Sequence, residues 1–75
     1  MIQARIRPGC LCVSHGKHLW IGVPGEEQVS LGWQREGTLV LALGPTRLDL
    51  DIWYALFLAR GRVGWINLSG ITEVR

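Results

Sequence analysis

The stretch that decides the fold runs Trp53-Tyr54-Ala55-Leu56-Phe57-Leu58-Ala59-Arg60-Gly61-Arg62-Val63-Gly64-Trp65-Ile66. Two apolar runs flank a single Arg-Gly pair. Gly takes the left-handed backbone without steric cost, so Arg60-Gly61 predicts a tight hairpin turn. The residues from Leu48 to Arg60 admit one other reading. Leu48, Ile52, Ala55, Leu56 and Ala59 fit a helical face, and Thr46 or Asp49 suits its N-cap. Against it, Trp53, Tyr54 and Phe57 favour strands. The alternation Leu48, Asp49, Leu50, Asp51, Ile52 has a period of two. It would place Asp49 and Asp51 on one face at the start of a strand. The strand reading therefore carries the segment, with Ile52 to Ala59 and Arg62 to Ile66 as an antiparallel pair.

Outward from this hairpin the punctuation is dense. Pro8-Gly9, Gly16, Gly22, Pro24-Gly25, Gly32, Gly37, Gly44-Pro45 and Gly70 cut the chain into short pieces. Helices of ten or more residues rarely survive such spacing, whereas short strands do. Cys10 to Val13, Leu19 to Val23, Thr38 to Leu43 and Ile71 to Val74 each fit a strand. In Thr38 to Leu43 the side chains of Leu39, Leu41 and Leu43 share one face. Val40 and Ala42 take the other. Both faces are apolar, which predicts cover on both sides, by the core on one and by a partner or loop on the other. The expected fold is all-β: one domain over residues 1–75, a small barrel of five or six short antiparallel strands. Residues 1–7 either pair in the barrel or reach out as an arm.

The composition explains why a partner is expected. The chain has 75 residues and 8.4 kDa, 48% hydrophobic and 19% charged, with a mean hydropathy of +0.21. Disorder needs the opposite balance. A domain this small has much surface and little interior. Too few charges remain to cover that surface, so apolar area is left exposed, and large apolar patches mark contact sites. The net charge is +2, and Lys17 is the only lysine beside seven arginines. That balance is too weak to indicate nucleic acid, which calls for a basic stripe. The longest apolar run, Ile52 to Ala59, falls far short of the ~20 residues of a membrane-spanning helix. No secretory signal pattern is visible. The expected location is the cytosol, or a larger particle assembled there.

The C-terminal half resembles an SH3-like barrel. Trp53-Tyr54-Ala55-Leu56 through Gly61-Arg62-Val63-Gly64-Trp65-Ile66 is similar to that family's hairpin, a Trp-Tyr start followed by Gly-x-x-Gly-Trp-Ile. Asn67-Leu68-Ser69-Gly70 stands where those barrels carry a 3₁₀ turn, and Ile71 to Val74 at their closing strand. Glu36-Gly37-Thr38-Leu39-Val40-Leu41 resembles a strand of bacterial SH3-type domains. The resemblance spans roughly residues 36–75. It implies the architecture more than the ligand. The acidic aromatic motif of the first loop is missing, and Asn67 stands where peptide-binding members carry proline.

Four groups of residues are candidate sites. Trp33, Trp53, Tyr54 and Trp65 are the aromatic candidates, because Trp is enriched in interface hot spots and an aromatic shelf grips extended peptides. The resemblance places Trp53 and Trp65 at that shelf. Arg60 with Arg62, and Arg5 with Arg7, have the spacing that puts two guanidinium groups on one strand face, suited to phosphate or carboxylate. Cys10, Cys12, His15 and His18 are all zinc-competent within nine residues, but a Cys-x-Cys pair is tighter than zinc spacing prefers. The same closeness strains an intrachain disulfide. No metal and no cofactor is the favoured reading. Asp49 and Asp51 alone make neither a cation cage nor an acid–base pair. Ser14 and His15 are neighbours that point apart on a strand, and no catalytic set assembles around them. The function expected is non-enzymatic. The chain is a protein-protein module, a subunit of a homo-oligomer or of a larger, virion-type particle. The alternatives are a monomeric peptide- or ligand-binding module and a nucleic-acid-binding barrel.

Overall fold

The computed structural model describes residues 6–74. The chain is all-β. Its strands are β1 (Leu11–Ser14), β2 (Lys17–Ile21), β3 (Val29–Gln34), β4 (Thr38–Asp49), β5 (Ile52–Ala59), β6 (Arg62–Asn67) and β7 (Ile71–Glu73), with one 3₁₀ turn over Leu68–Gly70 before β7. All seven join one antiparallel sheet in the order β3-β2-β6-β5-β4-β1-β7. Among the described residues the strands number seven, not five or six, and the sheet keeps two edges, β3 and β7. No helix among the described residues is long and apolar enough to cross a membrane. Arg5 and most of the suggested N-terminal arm lie outside the described residues.

The β5–β6 hairpin has the expected turn. Ala59 pairs with Arg62, and Arg60 and Gly61 both adopt positive φ, 52° and 80°. That is the geometry whose twist matches paired strands. The β4–β5 turn uses the same device with different residues. Asp49 pairs with Ile52, and Leu50 and Asp51 stand at φ 47° and 65°. The alternation from Leu48 to Ile52 is therefore a strand end, a turn and a strand start. Asp49 closes β4 while Asp51 sits in the turn, so the two carboxylates do not share a strand face. A non-glycine residue in the left-handed region costs ~1–2 kcal/mol. Leu50 bears that cost with its side chain 87% exposed. Replacing Leu50 by Asn, which tolerates this backbone, is expected to raise stability by ~0.5–1 kcal/mol, read as a higher denaturation midpoint at unchanged slope.

Strand β4 is the longest and runs through Gly44-Pro45. Ala42 pairs with Phe57 and Thr46 with Ala55, so Leu43, Gly44 and Pro45 together face Leu56 alone. The bulge absorbs a residue that has no N–H to give. A smaller bulge sits in β3. Leu19 pairs with Gly32 and Trp20 with Ser30, leaving Leu31 as the extra residue.

The inner face of the sheet carries the core: Cys12, Leu19, Val40, Ala42, Ala55, Phe57, Ala59, Ile66 and Leu68. Leu19 of β2 and Cys12 of β1 stand far apart in strand order yet belong to one cluster, so the sheet curls round its interior. Gly64 permits the closest approach. A Cβ there would lie 2.7 Å from the Trp20 carbonyl oxygen and 2.8 Å from Leu19 Cγ.

Candidate functional site

The outer face of the sheet follows directly from register. Leu11 pairs with Leu41, Leu41 with Leu58, and Leu58 with Val63. Directly opposed residues point to the same side of a sheet. One aliphatic row therefore crosses β1, β4, β5 and β6. Leu11 is 44% exposed, Leu58 37% and Val63 50%. Val13 and Leu39 form a parallel pair beside it, and Leu39 is also exposed. Val40 and Ala42 lie in the core as expected, while Leu39, Leu41 and Leu43 face outward, and Leu39 and Leu43 are exposed.

The same face continues into aromatic side chains. Trp65 opposes Leu56 on one side and Trp20 on the other. His18 stands between Trp20 and Trp33, with ring centroids 5.5 Å from the first and 4.9 Å from the second. Trp33 is exposed and Trp65 is buried among its neighbours. Tyr54, half-buried, shares this side through its pairing with Asn67. Trp53 does not. It alternates with Ala55 and Phe57, points inward and packs against the core. Trp53 and Trp65 thus stand on opposite faces and do not form one groove.

A cleft opens at the end of the molecule, where β3 approaches the tip of the β5–β6 hairpin. It encloses about 330 Å³ and is lined by Leu19, Leu31, Trp33, Gln34, Arg60 and Arg62 among others. Arg62 Nη1 donates to the Leu31 carbonyl at 3.4 Å, spanning from β6 to β3. Neither Arg60 nor Arg62 has an acidic partner among the described residues. Gln34 is 8% exposed and its buried Oε1 has no hydrogen-bond partner. Such an atom costs ~1–3 kcal/mol unless something arrives to satisfy it. Arg60 sits in the turn and Arg62 opens β6, so the two flank the hairpin tip and do not share the strand face that their spacing predicts. Their meeting with Trp33 and Gln34 was not legible, because β3 was hidden by its bulge and by Gly32. Arg7 is exposed beside a separate shallow hollow with Pro8 and Cys10.

The structure turns the four zinc-competent residues to different partners. Cys10 and Cys12 are free thiols, Cys12 fully buried. His18 Nδ1 lies 2.8 Å from Ser30 Oγ. His15 Nδ1 meets the Glu36 carboxylate, which can only accept, so that nitrogen carries the proton. His15 Nε2 then lies 2.9 Å from the Thr72 hydroxyl. This line of carboxylate, imidazole and hydroxyl escaped the sequence reading because its members are 21 and 57 residues apart. All three side chains are open to solvent. They fasten the β1–β2 corner to the β3–β4 turn and to β7.

Burial pushes the Cys12 thiol up to about 12, with Cys10 and Glu73 adding to it. The folded chain keeps this proton where an unfolded thiol loses it near 9.0. Stability should therefore be flat with respect to this group below pH 9. It should fall as pH rises from about 9 toward 12, by up to ~1.4 kcal/mol per unit. A Cys12→Ala chain lacks this component. Urea titrations of both chains at pH 8 and 10.5 check the difference.

Comparison with protein-family models, with curated proteins and with solved structures returns no match. The fold and these two surfaces are what a function must be built from.

Proposed function

We propose that the chain is an SH3-like barrel that acts as a non-enzymatic protein-protein module, a subunit of a homo-oligomer or of a larger particle. The aliphatic row of Leu11, Leu41, Leu58 and Val63 carries this reading. With its neighbours Leu39 and Leu43 it exposes on the order of 500 Å² of apolar side chain, against about 800 Å² per partner in a standard interface. It bears no charge, so a second copy of the same face complements it. Two sheets packed face to face through such rows bury both. The barrel reading is supported by the β5–β6 hairpin, the 3₁₀ turn over Leu68–Gly70 and the strand at Ile71–Glu73, which stand where the resemblance puts them. The proposed place of work is the cytosol, or a particle assembled there. No cofactor is needed for it.

The double substitution Leu11→Lys with Leu58→Lys tests this reading. Both residues are already exposed, so the folded chain tolerates lysine at each. The variant should keep its β-sheet spectrum and lose the association that the face provides. A variant that associates like the wild type at molar salt contradicts the reading.

A further inference from the structure

The two hairpin tips at the ends of β5 are chemically opposite. The β4–β5 tip presents Leu50, 87% exposed, next to Asp51 and just beyond Asp49. None of these carboxylates has a basic partner among the described residues. Arg47 lies two residues before Asp49, so the outermost charge at this end is that of Asp51. The β5–β6 tip presents Arg60 and Arg62 over the cleft floored by Leu19 and walled by Trp33 and Gln34. Arg35 follows Gln34 in the chain, and Glu36 beyond it is held by His15. Eight residues of β5 separate the tips, about 23 Å at strand rise.

From this we infer that the Leu50-Asp51 tip of one copy docks into the Arg60/Arg62 cleft of the next, in a head-to-tail contact that rests on the assembly reading. Leu50 would lie against Trp33, the exposed apolar side chain at the cleft wall. Asp51 would meet the two guanidinium groups, whose planar forks suit a carboxylate. The backbone strain at Leu50 gains a reason: a left-handed turn residue that points a bulky apolar side chain into water is unfavourable for folding and useful for docking. The contact joins different patches of the two copies, so it propagates into a ring or a filament and does not stop at a pair. It is ionic in part and weakens with salt, whereas apolar face pairing strengthens. The second copy is the occupant argued for because tip and cleft are complementary in charge, and the exposed Leu50 of one meets the exposed Trp33 of the other.

The test uses the full chain carrying Leu11→Lys and Leu58→Lys, so that face pairing is removed. Into it are placed either Asp51→Asn or the pair Arg60→Gln and Arg62→Gln, which remove charge without creating a second complementary contact. At low salt each of the two proteins should run as an 8.4 kDa monomer by light scattering. Their equimolar mixture has one intact tip and one intact cleft. It should form a 1:1 complex of twice that mass that grows no further and dissociates at molar salt. A mixture that stays monomeric, or single proteins that associate as strongly as the mixture, overturns the docking. Leu50→Asn guards against a folding artefact: it should weaken the complex at least tenfold while leaving the chain more stable. Failure of the assembly reading looks different, because the 1:1 complex would persist while the unmodified chain stays monomeric at molar salt.

Discussion

Phe57→Ala is expected to remove ~3–5 kcal/mol of folding stability, a large share of what the chain has. Phe57 is the largest side chain with no exposure, and it sits among Cys12, Leu19, Val40 and Ile66. Truncating a buried Phe costs ~3–5 kcal/mol, the lost transfer energy plus the cavity left behind. A domain of this size has only ~4–11 kcal/mol of stability in total. The site has little scope to collapse, because its inner-face neighbours on β5 are Ala55 and Ala59, already small. Circular dichroism with urea titration, at one fixed protein concentration because association adds stability, should show this loss as a lower midpoint at unchanged slope. A loss under ~1 kcal/mol would mean that the core lies elsewhere.

The second large effect falls on association. Leu11→Lys with Leu58→Lys should raise the dissociation constant of face pairing by ~100-fold or more, the equivalent of ~2.7 kcal/mol. The magnitude follows from asymmetry. In the free chain both lysines lie in solvent and their stems cover the sheet. In the paired state they must bring ammonium groups into an aliphatic layer that offers no acid. Leaving charges buried without a partner costs several kcal/mol. Folding stability should move by under ~0.5 kcal/mol per site, because neither side chain belongs to the core. Equal losses in folding and association would show that the row is internal packing and not a contact surface.

Much of this was legible from the residues alone, and the limits have physical causes. Arg60-Gly61 announced its turn because Gly next to a strand end has few other uses. Leu39, Leu41 and Leu43 against Val40 and Ala42 announced a strand apolar on both faces, and in the fold Leu39 and Leu43 of the outer set are exposed while Leu41 is half-buried. The end of that strand was hidden. Gly44-Pro45 reads as a break, yet a bulge lets β4 continue to Asp49. Leu50 and Asp51 were hidden in turn, since neither is a usual left-handed residue and their alternation imitates a strand. Strand β3 carries Gly32 and an extra Leu31, which erase its period of two. The cleft was out of reach for that reason: two of its walls come from a strand without a signature. The His15–Glu36–Thr72 line depends on contacts between distant segments, which no local pattern carries.

The central claim is that the apolar outer face is buried against a second copy. The most direct measurement is the solution mass of the unmodified chain by light scattering over a dilution series at molar salt, where ionic contacts are screened and apolar ones are not. A mass above 8.4 kDa that falls to the monomer only on dilution is the predicted result. A chain that stays folded and monomeric up to about 1 mM, which limits association to under about 4 kcal/mol, contradicts it.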